Sequence, residues 1–512
     1  MPFKSICLSL ALMGAACVLP ITLTSSAYAQ SGGQTITLAK KATDIFYEGN
    51  ASEHVWSDDA LYAELMAEIS GLDAHGLNPE HYNLAELTRR KSDKAARERV
   101  ATSAWLMAAA HMTYGKLDPV SVEPNWNVAG RKIDLVSALR ATLKAKSVRG
   151  SLDALAPKQP EYSALKSEYG RLQTLASQAS TRVPDGETLK PNMSGARIGL
   201  LQTRLVELGL LPLGTLTNQM DAQTVSAVKD FQISADLDDD GAVGPATLKA
   251  LNRGSEERLT QLRVNLERWR WLPDDLGRRH LRANIAGFDV TAWNEGKVER
   301  THLTIVGKTF RKTPVFSDQI SHAIFNPWWE TPYSLATKDK LPLFKRDPDA
   351  VKRLGFQVLD RSGSAVNATT IDWNSVNASS FPYRIRQAPG ETNALGKVKI
   401  MFPNVHNIYL HDTPTRGLFS QRQRAFSSGC LRTQNPIDLS AWLLAETPEW
   451  TRARIDTAVA SGNETRANLA KKVPVHILYF TVVSEGENSV RFLDDIYDRD
   501  SAVLSGLTKV PS

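Results

Sequence analysis

The chain reads Asn407-Ile408-Tyr409-Leu410-His411-Asp412-Thr413-Pro414 and, after a polar loop rich in arginine, Ser427-Ser428-Gly429-Cys430-Leu431-Arg432. Alternation predicts that Ile408 and Leu410 face a core, while Tyr409 and His411 face a cleft on the other side of a strand. A glycine lets the backbone turn sharply just before Cys430. The two stretches therefore predict a nucleophilic Cys/His pair carried by strands.

Cys430 is one of three cysteines in the chain. Residues 1–29 carry Lys4, an apolar run and a final Ala-Tyr-Ala, which is the pattern of a cleavable secretory signal. Cleavage after residue 29 would remove Cys7 and Cys17, leaving Cys430 without a disulfide partner. Its neighbours are Ser, Ser, Gly and Arg, which favours a reactive thiol over a buried inert one.

The net charge of +6 becomes +5 once the one lysine of the signal is removed. Most of this charge is expected to be solvated surface, and we expect no nucleic-acid partner. No stretch beyond the signal reaches the ~18 consecutive apolar residues that a membrane span requires. The exported chain is therefore expected to lack a transmembrane segment.

The first region, residues 30–190, has the pattern of a helical domain. Leu61, Met66, Ile69 and Leu72 form an apolar stripe at helical spacing. No residues in this region have the spacing of a catalytic group.

The second region, residues 191–254, predicts a small three-helix module. Ile198, Leu201, Leu205 and Leu208 share one helix face, and Asp221 is placed to cap a second helix. The acidic loop 236–241 resembles a calcium loop, but its twelfth position is Thr247 instead of a bidentate Glu. We therefore interpret the loop as a turn and expect no metal.

The third region, residues 258–500, is richer in strand patterns and ends in a C-terminal tail over 501–512. Residues 473–483 read as one long strand. Within the region, residues 330–380 are rich in loops and interrupted by prolines, which predicts an insertion into a β core that caps it. The fold class expected for the whole chain is multidomain α+β.

The chemistry expected around Cys430 is acyl transfer. Arg432 and His411 can both favour the thiolate, which is the form that attacks carbonyl carbons. Backbone N–H groups at Gly429 and Cys430 are natural donors to an oxyanion. Two alternatives stay open, namely a purely structural His411 and an Arg432 held in a structural ion pair.

Two segments resemble known families. His411 followed by Ser428-Gly429-Cys430-Leu431-Arg432 resembles the active-site motif of the L,D-transpeptidases (YkuD fold), and residues 191–254 resemble the small peptidoglycan-binding module. Many members of the first family have a histidine where this chain has Ser428. Further segments resemble the large Gram-negative branch of that family: Glu267–Pro273, Asn326–Trp329, Asn393–Lys399, Phe402–Asn404, Leu418–Phe419 and Asp495–Asp500.

The resemblance implies a helical scaffold, a peptidoglycan-binding module and a mainly-β catalytic domain with a capping insertion. It implies that Cys430 attacks the carbonyl of the third stem residue, meso-diaminopimelate, with His411 as base, Gly429 in the oxyanion site and Arg432 as an electrostatic aid. D-Alanine leaves, and a second stem completes a 3→3 cross-link without any cofactor. Four residues are expected to line the substrate cleft: Tyr409, Ser428, Trp328 and Trp329.

The resemblance also implies a periplasmic location, with peptidoglycan stems and glycan as partners and other wall-synthesis proteins as candidates. For the tryptophans, simple packing is an equal alternative to substrate contact. Three functions of different class stay open: a cross-linking transpeptidase, an enzyme with the same acyl intermediate that transfers to water or to a protein, and a non-catalytic wall-binding protein.

Overall fold

The computed structural model describes residues 32–48, 54–176, 181–214, 216–486 and 489–510. The signal sequence expected at 1–29 lies outside these ranges. None of the helices among the described residues is both long and apolar enough to cross a membrane. In the first region, the described residues form seven α-helices: α1 Gly32–Tyr47, α2 Asp59–Gly71, α3 Leu84–Arg89, α4 Lys94–Tyr114, α5 Pro119–Val122, α6 Leu135–Lys144 and α7 Pro160–Ala176.

The apolar stripe predicted near residue 65 lies in α2 and in the turn that follows it. Leu61, Ile69 and Leu72 are buried, whereas Met66 is half-buried. The Asp58 carboxylate accepts the Ala60 N–H at 2.8 Å and so satisfies one of the free donors at the start of the helix. This face packs into a core that α4, α6 and α7 share.

The second region forms a three-helix unit with its own hydrophobic core. Its helices are α8 Ala196–Glu207, α9 Ala222–Ser234 and α10 Pro245–Leu251. Asp221 caps α9 as predicted, accepting the Thr224 N–H at 2.8 Å. In the acidic loop, the Asp240 carboxylate accepts the Ala242 N–H at 2.9 Å and the side-chain amide of Gln232 at 2.8 Å. The loop is therefore a turn that the buried Gln232 stabilises.

A long helix, α11 Ser255–Arg270, links the helical region to the β domain. Glu267 and Arg270 on this helix are both fully buried and form an ion pair of 2.7 Å. The Glu267 carboxylate also accepts the Leu117 N–H at 2.8 Å, which ties the loop after α4 to α11. One buried carboxylate therefore joins two parts of the chain that are 150 residues apart.

Replacing Glu267 by glutamine is expected to destabilise the fold by about 3 kcal/mol, because it leaves the Arg270 guanidinium buried without a counter-charge. Chemical denaturation followed by circular dichroism would measure this loss. Glu86→Gln is the matched control, since Glu86 pairs with Arg90 at the surface and should barely change the unfolding midpoint. Equal midpoints for the two variants would contradict the role given to Glu267.

The described residues of the third region form fifteen strands. They are β1 Arg279–Asn284, β2 Asp289–Asn294, β3 Lys297–Gly307, β4 Phe316–Phe325, β5 Trp329–Glu330, β6 Phe356–Leu359, β7 Ala365–Val366, β8 Arg384–Gln387, β9 Val398–Met401, β10 Leu410–His411, β11 Ala425–Ser427, β12 Leu431–Thr433, β13 Thr465–Leu478, β14 Val482–Ser484 and β15 Val490–Phe492.

Nine of these strands form one sheet in the order β11-β3-β12-β10-β9-β4-β13-β1-β2. Because β2 also pairs with β3, the sheet closes on itself as a barrel. Most neighbours are antiparallel, but three pairs are parallel: β10 with β12, β1 with β13 and β3 with β11. The barrel is filled by its own apolar core, and the expectation of a multidomain α+β chain with a mainly-β third region is confirmed.

The insertion between β4 and β9 has a sheet of its own in the order β5-β8-β6-β7 and a separate aromatic core. Short helices accompany this sheet: α12 Tyr333–Leu335, a π-turn at Ala336–Lys340, α13 Leu341–Arg346 and α14 Ala350–Arg353. The insertion lies beside β9 and β10, so that one of its edges forms a wall of the cleft described below.

Three helices complete the chain: α15 Pro436–Leu443, α16 Arg452–Ala460 and α17 Asp500–Thr508. Residues 501–512, expected as a tail, are thus helical as far as Thr508. Lys116 of the helical region donates to the carbonyl oxygens of Leu507 and Lys509 at 2.6 and 2.7 Å, which fixes this helix against the scaffold. The docking of Leu507 and Val503 into the first core explains why the segment is ordered.

Candidate active site

A cavity of about 750 Å³ opens between the barrel and the insertion, and Cys430 lies in its wall. The other predicted residues that line it are His411, Gly429, Arg432, Tyr409, Ser428 and Trp329. Trp328 is outside this lining: its indole ring lies under the Arg386 guanidinium at 4.4 Å, and its backbone N–H donates to the Glu464 carboxylate at 2.6 Å. The structure thus gathers every predicted site residue except Trp328.

The parallel pairing of β10 with β12 brings the two motifs together. Leu410 lies opposite Leu431 and His411 opposite Arg432, and the Leu431 N–H donates to the Tyr409 carbonyl at 3.1 Å. This register places Cys430 beside Tyr409. Ile408 and Leu410 are buried in the barrel core, as alternation predicts.

The Cys430 thiol is half-buried and contacts the Asn407 carbonyl, with 3.6 Å between sulfur and oxygen. Burial raises the pKa of this thiol above its ordinary value, although hydrogen bonds from Tyr409 and the charges of Lys399 and Arg432 act in the opposite direction. The charges of these cations favour the thiolate, as the sequence predicts for Arg432. Loss of hydration outweighs them, and the resting group is a thiol.

The ring of His411 is buried, and its Nδ1 lies 2.6 Å from the Asp412 backbone carbonyl. A carbonyl oxygen only accepts, so Nδ1 carries the proton and Nε2 keeps its lone pair. Burial, together with the charge of Arg432, lowers the pKa of His411 to about 3. The imidazole is therefore neutral at physiological pH and is held in the tautomer that a general base requires.

Alkylation of Cys430 by iodoacetamide is expected to be slow at pH 7 and to rise about tenfold per pH unit, because only the thiolate reacts and its pKa is raised. The rate should keep rising past pH 9, the ordinary pKa of a thiol. Mass-spectrometric counting of the adduct against time gives this profile, with glutathione as the reference thiol. A rate that levels off below pH 8 would contradict a raised pKa.

The turn before Cys430 is held by its own hydrogen bonds. Ser427 Oγ accepts the Gly429 N–H at 3.0 Å and donates to the Cys430 carbonyl at 2.6 Å. Gly429 adopts φ +121°, a conformation that favours glycine. Because Ser427 occupies the Gly429 N–H, this group is not free to bind an oxyanion, in contrast to what the sequence suggested.

The Cys430 N–H differs from its neighbour in having no acceptor among the residues that the structure describes. Cys430 lines the cavity, and its N–H is in the same residue as the sulfur that would attack. A free backbone N–H beside a nucleophile can stabilise the negative charge that develops on a carbonyl oxygen.

Ser428 is exposed and linked to the insertion. Its hydroxyl accepts from Arg311 at 3.0 Å, and Arg311 forms a bidentate pair with Asp339 of the insertion at 2.7 and 3.0 Å. Arg311 thereby joins the turn that carries Cys430 to the insertion.

Arg432 forms no ion pair within the described ranges, and one of its nitrogens donates to Thr415 at 3.3 Å. The structural ion pair considered as its alternative role is therefore not present there. A guanidinium that lines the cavity without a carboxylate partner is available to an anionic ligand.

Lys399 on β9 lies near the site but is not among the residues that line the cavity. It pairs with His411 across the antiparallel ladder, and its ammonium lies 4.1 Å from the centre of the Tyr409 ring. Burial lowers its pKa. Alternation with the buried Val398 and Ile400 was the signal that could have placed it on the same face of the sheet as Tyr409.

Trp329 combines the two roles considered for the tryptophans. It lines the cavity, yet it is also nearly buried in the core of the insertion, 6.1 Å from the Phe356 ring centre. It therefore forms a rigid wall of the cleft.

The described residues contain no cluster of His, Cys, Asp or Glu that could hold a metal ion. The groups assembled at the cavity are thus a thiol, a neutral imidazole, a free backbone N–H and several cations. This set is suited to nucleophilic attack on a carbonyl carbon followed by transfer of the acyl group.

Comparison with known protein families assigns three segments. Residues 278–467 match the L,D-transpeptidase catalytic domain, residues 41–168 match a scaffold domain, and residues 194–251 match a putative peptidoglycan-binding domain.

Individual proteins are similar to parts of the chain. A putative L,D-transpeptidase of Haemophilus influenzae is 38% identical over 249 residues, covering 48% of this chain and 50% of the relative. The chain thus aligns with about half the length of that relative. A probable N-acetylmuramoyl-L-alanine amidase of Bacillus licheniformis is 41% identical over 78 residues, which is 15% of this chain and 22% of the amidase. A crystal structure of an L,D-transpeptidase from Xylanimonas cellulosilytica is 16% identical, with a TM-score of 0.18, covering 58% of this chain and 99% of that one.

Proposed function

We propose that the protein forms 3→3 cross-links in peptidoglycan through a thioester on Cys430, since residues 278–467 match the L,D-transpeptidase catalytic domain. The observation that carries the proposal is the arrangement at the cavity. Three groups belong to residues that line the same cavity: the Cys430 thiol, the neutral imidazole of His411 with its Nε2 lone pair, and the Cys430 N–H, which has no acceptor among the described residues.

In the first half-reaction, Cys430 attacks the carbonyl carbon of the third stem residue, meso-diaminopimelate. His411 Nε2 takes the thiol proton as the bond forms, since the resting pair is neutral. The carbonyl oxygen becomes an oxyanion that the Cys430 N–H stabilises. The tetrahedral intermediate then collapses, His411 gives its proton to the leaving nitrogen, and D-alanine departs from the thioester.

In the second half-reaction, the side-chain amine of a neighbouring stem's diaminopimelate attacks the thioester carbonyl. His411 accepts the proton that the amine nitrogen loses, and the C–S bond breaks. The sulfur leaves as a thiolate and regains its proton from the imidazolium. The products are an amide between two diaminopimelate residues and the enzyme in its starting state.

Charge around the cleft supports a peptide substrate that bears carboxylates. The lining includes the cations Arg311, Lys338, Lys340 and Arg432, against the single acid Asp339, which Arg311 already neutralises. A stem peptide has several free carboxylates and would be attracted by this field. Tyr409 and Trp329 supply flat walls for its aliphatic parts, and Ser428 adds a hydroxyl at the edge.

The module over residues 194–251 matches a peptidoglycan-binding family, so we further propose that it holds the glycan near the cleft. It is docked on the third region, where its Asp236 pairs with Arg491 at 2.8 Å. Since peptidoglycan is assembled outside the cytoplasmic membrane, the proposed location is the periplasm.

The experiment is to incubate the purified protein with disaccharide-tetrapeptide and to separate the products by liquid chromatography and mass spectrometry. A dimer that lacks one D-alanine, formed between two diaminopimelate residues, is the expected product. Disaccharide-tripeptide alone would make water the acceptor and the enzyme an L,D-carboxypeptidase. An unchanged tetrapeptide would contradict the transpeptidase function and leave a wall-binding role or a transfer to protein.

A further inference from the structure

The loop between β3 and β4 lies against the turn of residues 427–430 that carries Cys430, here called the catalytic turn. The contact is so close that it leaves no room for a side chain at Gly307. A Cβ placed on Gly307 would lie 2.2 Å from the Arg311 carbonyl oxygen and 3.1 Å from the Gly429 Cα. Such distances exclude any larger residue at 307. The loop is therefore pressed directly against the backbone of Gly429.

Thr313 closes this loop with its side chain. Its hydroxyl donates to the Gly429 carbonyl at 2.8 Å and accepts the Gly307 N–H at 2.9 Å. The side chain is fully buried, so water does not compete for either bond. The hydroxyl thus fixes the direction in which the Gly429 carbonyl points.

That direction determines the position of the Cys430 N–H. The Gly429 carbonyl and the Cys430 N–H belong to one planar peptide unit, and every peptide bond described here is trans. In a trans unit, the C=O and N–H groups point in opposite directions. With its carbonyl held on Thr313, the peptide directs the Cys430 N–H to the side away from Thr313.

Tyr497, close to the C-terminus, holds Thr313 in turn. Its hydroxyl accepts the Thr313 N–H at 3.2 Å and donates to the Gly307 carbonyl. The Tyr497 ring is buried and stacked on Tyr479, with 5.8 Å between ring centres. Lys312 donates to the Tyr497 carbonyl at 2.6 Å, so the backbone of the C-terminal segment is attached to the same loop.

We propose that Thr313 is a positioning residue for acyl transfer, whose hydroxyl locks the Gly429–Cys430 peptide so that the Cys430 N–H serves as the oxyanion donor. Tyr497 secures Thr313 in that place. The inference rests on the acyl chemistry of the proposed function, but it does not depend on the identity of the natural acyl donor.

The test compares two reactions of the same sulfur in full-length protein. With p-nitrophenyl acetate, Cys430 attacks the ester carbonyl, passes through an oxyanion, forms an acetyl thioester and releases p-nitrophenolate. With iodoacetamide, the sulfur displaces iodide from a saturated carbon, and no oxyanion forms. The first rate depends on the oxyanion donor, whereas the second depends only on the thiol and its access.

Thr313→Val keeps the shape of the side chain and removes the hydroxyl, whereas Thr313→Ser keeps the hydroxyl. The valine variant is expected to acetylate Cys430 about 100-fold more slowly, a loss typical of removing one oxyanion donor. Its alkylation rate at the same pH should stay unchanged, and the serine variant should retain most of both rates. Tyr497→Phe, which leaves Thr313 intact but unsupported, should show a smaller loss of the same kind.

An equal fall in acetylation and alkylation would overturn the proposal, because it would mean a general collapse of the turn. Unchanged acetylation in Thr313→Val would overturn it as well. Should the valine variant not fold, Tyr497→Phe decides by the same two rates. If the wild-type protein leaves tetrapeptide unchanged yet shows the Thr313-dependent acetylation, the proposed function fails while this inference stands.

Discussion

Replacing Cys430 by serine is expected to lower the rate of tetrapeptide turnover by about 10⁴-fold or more, as is found when a nucleophile is removed from a unit of interacting groups. A serine hydroxyl has a far higher pKa than a thiol and is a much weaker nucleophile in its neutral form, so the same imidazole activates it far less. Product formation measured by mass spectrometry gives the rate. The unfolding midpoint of the variant should match that of the wild type.

The matched control moves the thiol instead of deleting it. Ser505 is exposed on α17, far along the chain from the catalytic turn, so Cys430→Ser combined with Ser505→Cys restores one thiol at the wrong place. This double variant should be as inactive as the single one. Recovery of turnover by the relocated thiol, or full turnover in Cys430→Ser, would refute the role of Cys430 as nucleophile.

Replacing His411 by asparagine is expected to slow acylation by roughly 10²- to 10⁴-fold, the usual contribution of general acid–base catalysis. The asparagine amide can still donate to the Asp412 carbonyl, but it offers no basic nitrogen where Nε2 lies. Because the resting thiol has a raised pKa, activity lost by the variant should be partly regained at high pH, where the thiolate forms without a base. Single-turnover acylation followed from pH 6 to 10 measures this.

His280 offers a matched control for that substitution. It is also buried, its Nδ1 also lies on a backbone carbonyl (Gly277, 2.7 Å), and burial also lowers its pKa, to about 4. It belongs to β1 and does not line the cavity. His280→Asn should lower stability with little change in the acylation rate, and equal losses of activity in both variants would remove the case for His411 as base.

The parts of the fold that sequence could predict are those where a local pattern is enough. The spacing of Ile198, Leu201 and Leu205 predicted α8 and its buried face, and the alternation around Leu410 predicted which side chains enter the barrel. Asp221 at a helix start predicted its own capping bond. Asn435 shows the limit of such signals: an Asn followed by Pro436 predicts a capped helix start, and α15 does begin at Pro436, but Asn435 adopts φ +49° and forms no side-chain cap.

The candidate site could be predicted where its residues are close in the chain, as Ser428, Gly429 and Cys430 are. Thr313 and Tyr497 could not be found in this way. Thr313 donates to the carbonyl of Gly429, which lies 116 residues further along the chain. Tyr497 donates to the carbonyl of Gly307, which lies 190 residues before it. The sequence predicted the same role for the two adjacent tryptophans, Trp328 and Trp329, yet only Trp329 lines the cavity.

The protonation state of Cys430 could not be predicted from the sequence, for a physical reason. Arg432 is visible two residues away, and its charge favours a thiolate. The loss of hydration that outweighs this charge depends on how the insertion and the barrel enclose the sulfur, which no short pattern records. The consequence is mechanistic, since a neutral pair requires proton transfer during the attack instead of before it.

The most direct test of the central claim is to identify the residue that carries the acyl group. Rapid quenching in acid after mixing with disaccharide-tetrapeptide, followed by proteolysis and mass spectrometry, should show the substrate minus D-alanine attached to Cys430 and released by hydroxylamine. Loss of that adduct in Cys430→Ser would complete the result. An acyl group found on another residue, or cross-linked product formed after Cys430 has been fully alkylated, would contradict the account.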